Sequence, residues 1–200
     1  ILFHFLYLII NIKNIKSYLI AMEVEVYKRW DEENQKHWWF EGRKKIIYSI
    51  LKNNIRKNDL KILDFGCGVG VNTKMLTEFG DVTCFDPSPE AIKFLKRKFN
   101  NDKKVLVEDS LDNCSEKFDL IIAADVVEHI ENDNEEIIKL HKLLKSDGLF
   151  FATVPAYQFL FSIKDIKLHH KRRYNLFNFK KLISPFFNKI KISYYNFFLF

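Results

Sequence analysis

Lys61-Ile62-Leu63-Asp64-Phe65-Gly66-Cys67-Gly68-Val69-Gly70 is the stretch that decides the fold. Three of the chain's six glycines fall within five residues of it, directly after an apolar run. A strand ending in alternating glycines lets its backbone approach a ligand that side chains would otherwise block, and such a turn opens the helix of a βα unit. The acid at its head carries as much information as the glycines. A dinucleotide fingerprint sets its glycines at the first, third and sixth positions and keeps carboxylates from the pyrophosphate, and a P-loop needs a lysine after its last glycine. Here the spacing is D-x-G-x-G-x-G, and Gly70 is followed by Val71 and Asn72. The pattern points to a ligand that carries positive charge and lacks phosphates.

Further strands follow at βα spacing. Asp81–Phe85 ends in Asp86 and Pro87, with Asp86 sixteen residues beyond Gly70; a carboxylate there accepts ribose hydroxyls in nucleotide-binding sheets. Ser88-Pro89-Glu90 has the serine cap, early proline and first-turn acid of a helix start. Val105–Val107 leads into Glu108-Asp109-Ser110, and Phe118–Ala124 into Asp125-Val126-Val127-Glu128-His129. Asn132 or Asp133 caps the next helix, whose Ile137, Leu140, His141 and Leu144 share one stripe, so His141 is expected to be buried. Ser146-Asp147-Gly148 is expected to stop that helix, and Leu149–Pro155 to form the fifth strand. The alternation predicts an α/β fold, a doubly wound, mostly parallel sheet with helices on both faces. Ligands in such sheets lie at the carboxyl ends of the strands, where Gly66, Asp86, Asp109 and Asp125 all fall.

The D-x-G-x-G-x-G turn resembles the first motif of class I S-adenosylmethionine-dependent methyltransferases, and the Asp86, Asp109 and Asp125–His129 segments are similar to that family's later motifs in the same order. The resemblance implies a Rossmann-like sheet, S-adenosyl-L-methionine as cofactor, and methyl transfer to an O, N or C acceptor. It assigns cofactor contacts to Asp64, Gly66, Cys67, Gly68, Asp86, Pro87, Asp109, Ser110, Ala124 and Asp125. His37-Trp38-Trp39-Phe40-Glu41-Gly42-Arg43 resembles the N-terminal lid segment of one methyltransferase subgroup, by which Arg43 pairs with the methionine carboxylate of the cofactor. A helix follows it, with Ile46, Ile47, Ile50 and Leu51 on one face. His169-His170-Lys171-Arg172-Arg173-Tyr174 is similar to the H-x-R-R-Y string that borders the acceptor pocket in the same subgroup. By that resemblance Glu128, His129, His169 and His170 are the acid–base groups, and Arg172 or Arg173 holds an anionic acceptor.

Asp125, Glu128 and His129, spaced i, i+3 and i+4, also resemble the metal triad of some O-methyltransferases. Most similar strings in the wider family bind no metal, and none is expected here. Two other classes compete with a methyltransferase. A nicotinamide oxidoreductase would need the dinucleotide glycine spacing that this loop lacks. A non-catalytic adenosylmethionine-binding or scaffold protein would keep Asp64, Gly66 and Asp86 but have no use for the histidine clusters.

The 200 residues suffice for one α/β core, and 48% hydrophobic with 29% charged residues is a globular composition. Three cysteines without a C-x-x-C pair read as reduced cytoplasmic thiols. Residues 1–10 are almost wholly apolar, but Asn11, Lys13, Asn14 and Lys16 interrupt the run well short of the roughly 20 residues of a membrane span. The positive charge follows the apolar run, the reverse of a signal peptide. The first methionine is Met22, so residues 1–21 read as a leader or upstream translation and 22–200 as one methyltransferase domain. The resemblance implies a further antiparallel strand at the end, so the domain reads as truncated there.

Charge is uneven. Of the net +6, Phe161–Phe200 carries nine Lys or Arg against the single acid Asp165, which is +8, leaving −2 elsewhere. A peripheral membrane contact through this basic stretch fits that balance. The expected acceptor is a small molecule, a lipid-linked intermediate or a glycan rather than nucleic acid, since the stretch has no recognisable nucleic-acid motif.

Overall fold

The apolar runs between acidic and glycine stops become five strands: β1 (Leu60–Phe65), β2 (Gly80–Phe85), β3 (Val105–Glu108), β4 (Phe118–Ala124) and β5 (Leu144–Thr153). The computed structural model describes residues 27–33, 37–112 and 114–195; the expected leader lies outside the described residues. All four pairings are parallel, in the order β3-β2-β1-β4-β5. The chain winds from β1 outward through β2 to β3 and then crosses back to place β4 on the other side of β1. The loops after β1 and β4 therefore diverge, and a crevice opens between them at the carboxyl end of the sheet.

β1 and β4 are central strands and bury both faces, which is why their sequences are nearly continuous apolar runs. Successive residues of β1 supply opposite cores. Ile62 packs with Ile47 and Leu51 of α1 (Trp38–Asn54), Leu76 of α2 (Thr73–Leu76) and Leu95 of α3 (Pro89–Lys98). Leu63 packs on the other face with Ile121, with Ile137 and Leu140 of α4 (Asp133–Leu143), and with Phe179 of α6 (Leu176–Ile183). Each such side chain contributes about 1.5–3 kcal/mol by leaving water. Between α4 and α6, the short α5 (Ile163–Lys167) and the bridge between Ala156 and Tyr174 fold the chain after β5 back over the sheet end.

Three local expectations are corrected. The inner face of α1 is Arg43, Ile47 and Leu51, and Ile50 is exposed because it lies to one side of that stripe. α4 ends at Leu143, and β5 begins at Leu144 instead of Leu149. Leu144 pairs with Phe118 and Leu149 with Leu120, so Ser146-Asp147-Gly148 is an irregularity within the strand and no helix stop. His141 is exposed, its ring resting against Phe186 and Phe187.

Candidate active site

The glycine loop crosses the end of β2, where the N–H groups of Gly66 and Cys67 donate to the Phe85 carbonyl at 2.8 and 3.1 Å. Gly66 has φ +68°, and a Cβ there would stand 2.6 Å from a Val126 methyl, so glycine is the residue that lets the β1 and β4 loops pass each other. Gly68 has φ +56° and, among the described residues, nothing within 4 Å of its Cβ position, which leaves that side of the loop open to a ligand. Asp64 is almost fully buried at the loop's base and accepts the Thr73 hydroxyl at 2.7 Å. Burial pushes its pKa up to about 6. Asp86 closes the loop from β2, accepting the N–H groups of Gly68 and Ser88, each at 2.9 Å. A hydrogen bond with Cys84, reinforced by burial, raises the Cys67 thiol well above its ordinary value, so it is no ready nucleophile.

The remaining cofactor candidates spread along the same edge. Asp109 and Ser110 follow β3 and are exposed, with Asp109 paired to Lys96 at 2.7 Å and Ser110 bonded to Asp112. Pro87 is exposed beside Asp86, and Ala124 ends β4. The helical residues 27–33 lie over this edge: the Tyr27 hydroxyl is 3.0 Å from Ser88 Oγ, and Lys98 reaches Asp31 at 2.7 Å.

Asp125 is the most constrained residue of the site. Its φ is +57°, a left-handed conformation uncommon outside glycine, and the surrounding bonds hold it there. Its N–H donates to the Thr153 carbonyl at 2.9 Å, the Thr153 hydroxyl donates to its Oδ1 at 2.7 Å, and the buried Arg43 guanidinium pairs with its Oδ2. Arg43 thus reaches the crevice from α1. Sequence reading missed Thr153, which lies at the end of β5, and Tyr195, which sits beside Thr153, Asp125 and Arg43 with its hydroxyl pushed up to about 12 by burial.

Beyond Asp125 the chain makes one turn of 3-10 helix, Val127–His129. Asp125, Glu128 and His129 therefore do not line one α-helical face. The fold groups Glu128 and His129 with His170 instead: one carboxylate oxygen and two ring nitrogens lie within 4.8 Å of one another. Glu128 is fully buried, and among the described residues its carboxyl finds no partner beyond its own backbone N–H. Burial, with Asp125 near it, raises its pKa to about 8, so it is largely protonated at neutral pH. Burial lowers His129, which stays neutral. The His129 and His170 rings meet edge to face at 4.7 Å.

The other members of the histidine–arginine string divide. His169 takes φ +59° and its ring is exposed. Neither arginine is left free for an acceptor. Arg172 donates to Asp133 at 2.9 Å, and Arg173 grips Asp165 with two bonds of 2.8 Å. The Tyr174 hydroxyl also donates to Asp133, at 2.7 Å, fixing this loop to α4.

Residues 39–195 match the methyltransferase-domain family. The chain belongs to the S-adenosylmethionine-dependent methyltransferases. This methyltransferase is 30% identical over 179 residues to the ubiquinone biosynthesis O-methyltransferase of Glaesserella parasuis, covering 77% of this chain and 75% of that one. It is 36% identical over 104 residues to the mitochondrial ubiquinone biosynthesis O-methyltransferase of Rattus norvegicus, covering 47% of this chain and 30% of the relative. Among solved structures, a TehB-like SAM-dependent methyltransferase from Corynebacterium glutamicum shares the fold, with a TM-score of 0.57, 24% identity and 82% of each chain covered. The residues suit the family's cofactor. Gly68 leaves open space on its side of the loop, and Asp86 borders that space from the end of β2 with a carboxylate that accepts the Gly68 N–H.

Proposed function

We propose that the methyltransferase acts on a hydroxyl group of a small or lipid-linked acceptor. The observation that carries this reading is the grouping of Glu128 and His129, in the turn after β4, with His170, which the fold brings beside them. A hydroxyl must shed its proton to become a good nucleophile, and a positioned base contributes about 10²–10⁴-fold. The names of the relatives, O-methyltransferases, support the same acceptor atom. When bound, S-adenosylmethionine supplies a methyl group already activated on a sulfonium. The chain's own part is orientation and water exclusion, worth roughly 7–11 kcal/mol when the reactants are well aligned. Asp86 would hold the ribose, Arg43 the methionine carboxylate, and Tyr195 would wall the space between cofactor and acceptor. The reading is tested by incubating the chain with radiolabelled S-adenosylmethionine and matched catechol and aniline probes. Label should pass to the catechol, and label on the aniline alone would reject the hydroxyl acceptor.

The acceptor's setting is proposed to be a membrane surface on the cytoplasmic side. Among the described residues no helix is long and apolar enough to cross a membrane. Phe159, Ile163, Ile166, Leu168 and Phe177 nevertheless expose their side chains in the segment that also carries Lys164, Lys167, Lys180 and Lys181. Apolar and cationic groups together favour an anionic lipid surface.

A further inference from the structure

Asp165 is the single acid between Phe161 and Phe200, and it is 1% exposed. An isolated carboxylate in a lysine-rich stretch would ordinarily remain in water, and burying one requires several donors. Asp165 has them from three residues. Arg173 donates Nε to Oδ1 and Nη2 to Oδ2, each at 2.8 Å, in a guanidinium–carboxylate fork. Ser162 donates its N–H at 2.9 Å, completing the capping box of α5. The third is His170, whose Nδ1 lies 2.9 Å from Oδ1. Arg173 holds the Asp165 carboxyl well below the usual carboxylate range, so Asp165 is ionised and only accepts. Nδ1 of His170 must then carry the proton, and in the neutral ring Nε2 is left bare.

His170 stands between two sets of groups. Asp165 and Arg173 face it from α5 and the strand bridge, and Glu128 and His129 face it from the turn after β4. Lys171 is turned away to Glu131 at 3.2 Å. His129 is neutral and Glu128 largely protonated, so neither adds a fixed charge of its own.

We propose that Asp165 is a positioning residue that fixes His170 in the Nδ1–H tautomer, so that Nε2 takes the proton of the acceptor hydroxyl. This rests on the hydroxyl-methyltransferase reading. In the step the acceptor O–H bond breaks, the proton joins Nε2, and the bonding pair stays on the acceptor oxygen, which becomes the nucleophile. His170 becomes an imidazolium beside the ionised Asp165, the acceptor oxygen becomes an anion, and no other protein group changes charge. A carboxylate that orients a histidine and stabilises its cation is a recurring device for activating oxygen nucleophiles. Here its parts come from α5 and the loop that returns to the sheet end.

The first test needs neither cofactor nor acceptor. Long-range proton–nitrogen NMR of the ¹⁵N-labelled full chain at neutral pH, with His170→Gln used to identify the signals, reports where the imidazole proton sits. In the neutral ring a protonated Nδ1 and a bare Nε2 are expected, and a proton on Nε2 of the neutral ring would overturn the proposal. In folded Asp165→Asn the preference for Nδ1–H should be lost; its persistence would remove Asp165 from the role. If that variant does not fold, the wild-type spectrum alone decides. In turnover with radiolabelled S-adenosylmethionine and 3,4-dihydroxybenzoate, His170→Gln should lose about 10²–10⁴-fold in kcat and keep its cofactor affinity. A loss confined to cofactor affinity would overturn the assignment of the base. A wild-type chain with the expected tautomer that methylates amines and no hydroxyl would instead reject the acceptor reading, with the Asp165–His170 geometry intact.

Discussion

At the scale of single residues, the site combines strained backbone with buried carboxyls, and each has a measurable consequence. Gly66→Ala would place a Cβ 2.6 Å from Val126 in a left-handed conformation. We expect a loss of about 1–3 kcal/mol in stability, read by urea denaturation. Asp86→Ala should weaken S-adenosylmethionine binding by about 1.5–3 kcal/mol, the range for hydrogen bonds to a charged group; calorimetry checks this. Glu128 makes a prediction about pH. Its value in the folded chain, about 8, lies above the ordinary 4.5. The stability this contributes is therefore complete below about pH 4.5 and is lost as the pH rises through about 8. Glu128→Gln cannot ionise, so its Tm relative to wild type should climb between about pH 5 and pH 9. A constant difference across that range would mean that Glu128 is ionised throughout.

At the scale of elements, the sequence was legible wherever structure is dictated locally. The bounds of β4, Phe118–Ala124, are those read from its apolar run, and the serine cap and early proline of α3 stand where the sequence placed them. The failures share one cause, contacts made across the fold. β5 starts early because Leu144 finds Phe118, and no local signal in Ser146-Asp147-Gly148 announces a strand irregularity. Asp165 entered the sequence reading only as the single acid of a basic stretch, and its burial depends on Arg173 and His170 returning to it. The arginines of the same string looked free for an acceptor and instead brace Asp133 and Asp165. Thr153 was read only as part of a strand, and its hydroxyl matters because β5 brings it to Asp125. α5 carries its own prediction. Ile163→Asp together with Ile166→Asp, both at exposed positions, should leave the fold unchanged and reduce sedimentation with phosphatidylglycerol vesicles. Equal sedimentation of the variant and the wild-type chain would remove the membrane contact.

At the scale of the whole molecule, one winding rule places the chemistry. Because the chain crosses from β3 back to β4, the loop after β1 and the turn after β4 flank one crevice, bringing Gly68 and Asp86 to one part and Asp125, Glu128 and His170 to another. The glycine loop leaves room beside Gly68, which we propose takes the cofactor's nucleoside, and the histidine group beyond it is proposed to take a proton. That pairing of a cationic cofactor with a proton acceptor is the central claim. Its most direct test is calorimetric titration of the full chain with S-adenosylmethionine, with NAD as the control and Asp86→Ala run in parallel. We expect micromolar binding of S-adenosylmethionine, weaker binding by Asp86→Ala and no heat from NAD. A chain shown by circular dichroism to be folded that bound NAD, or bound S-adenosylmethionine equally well without Asp86, would contradict it.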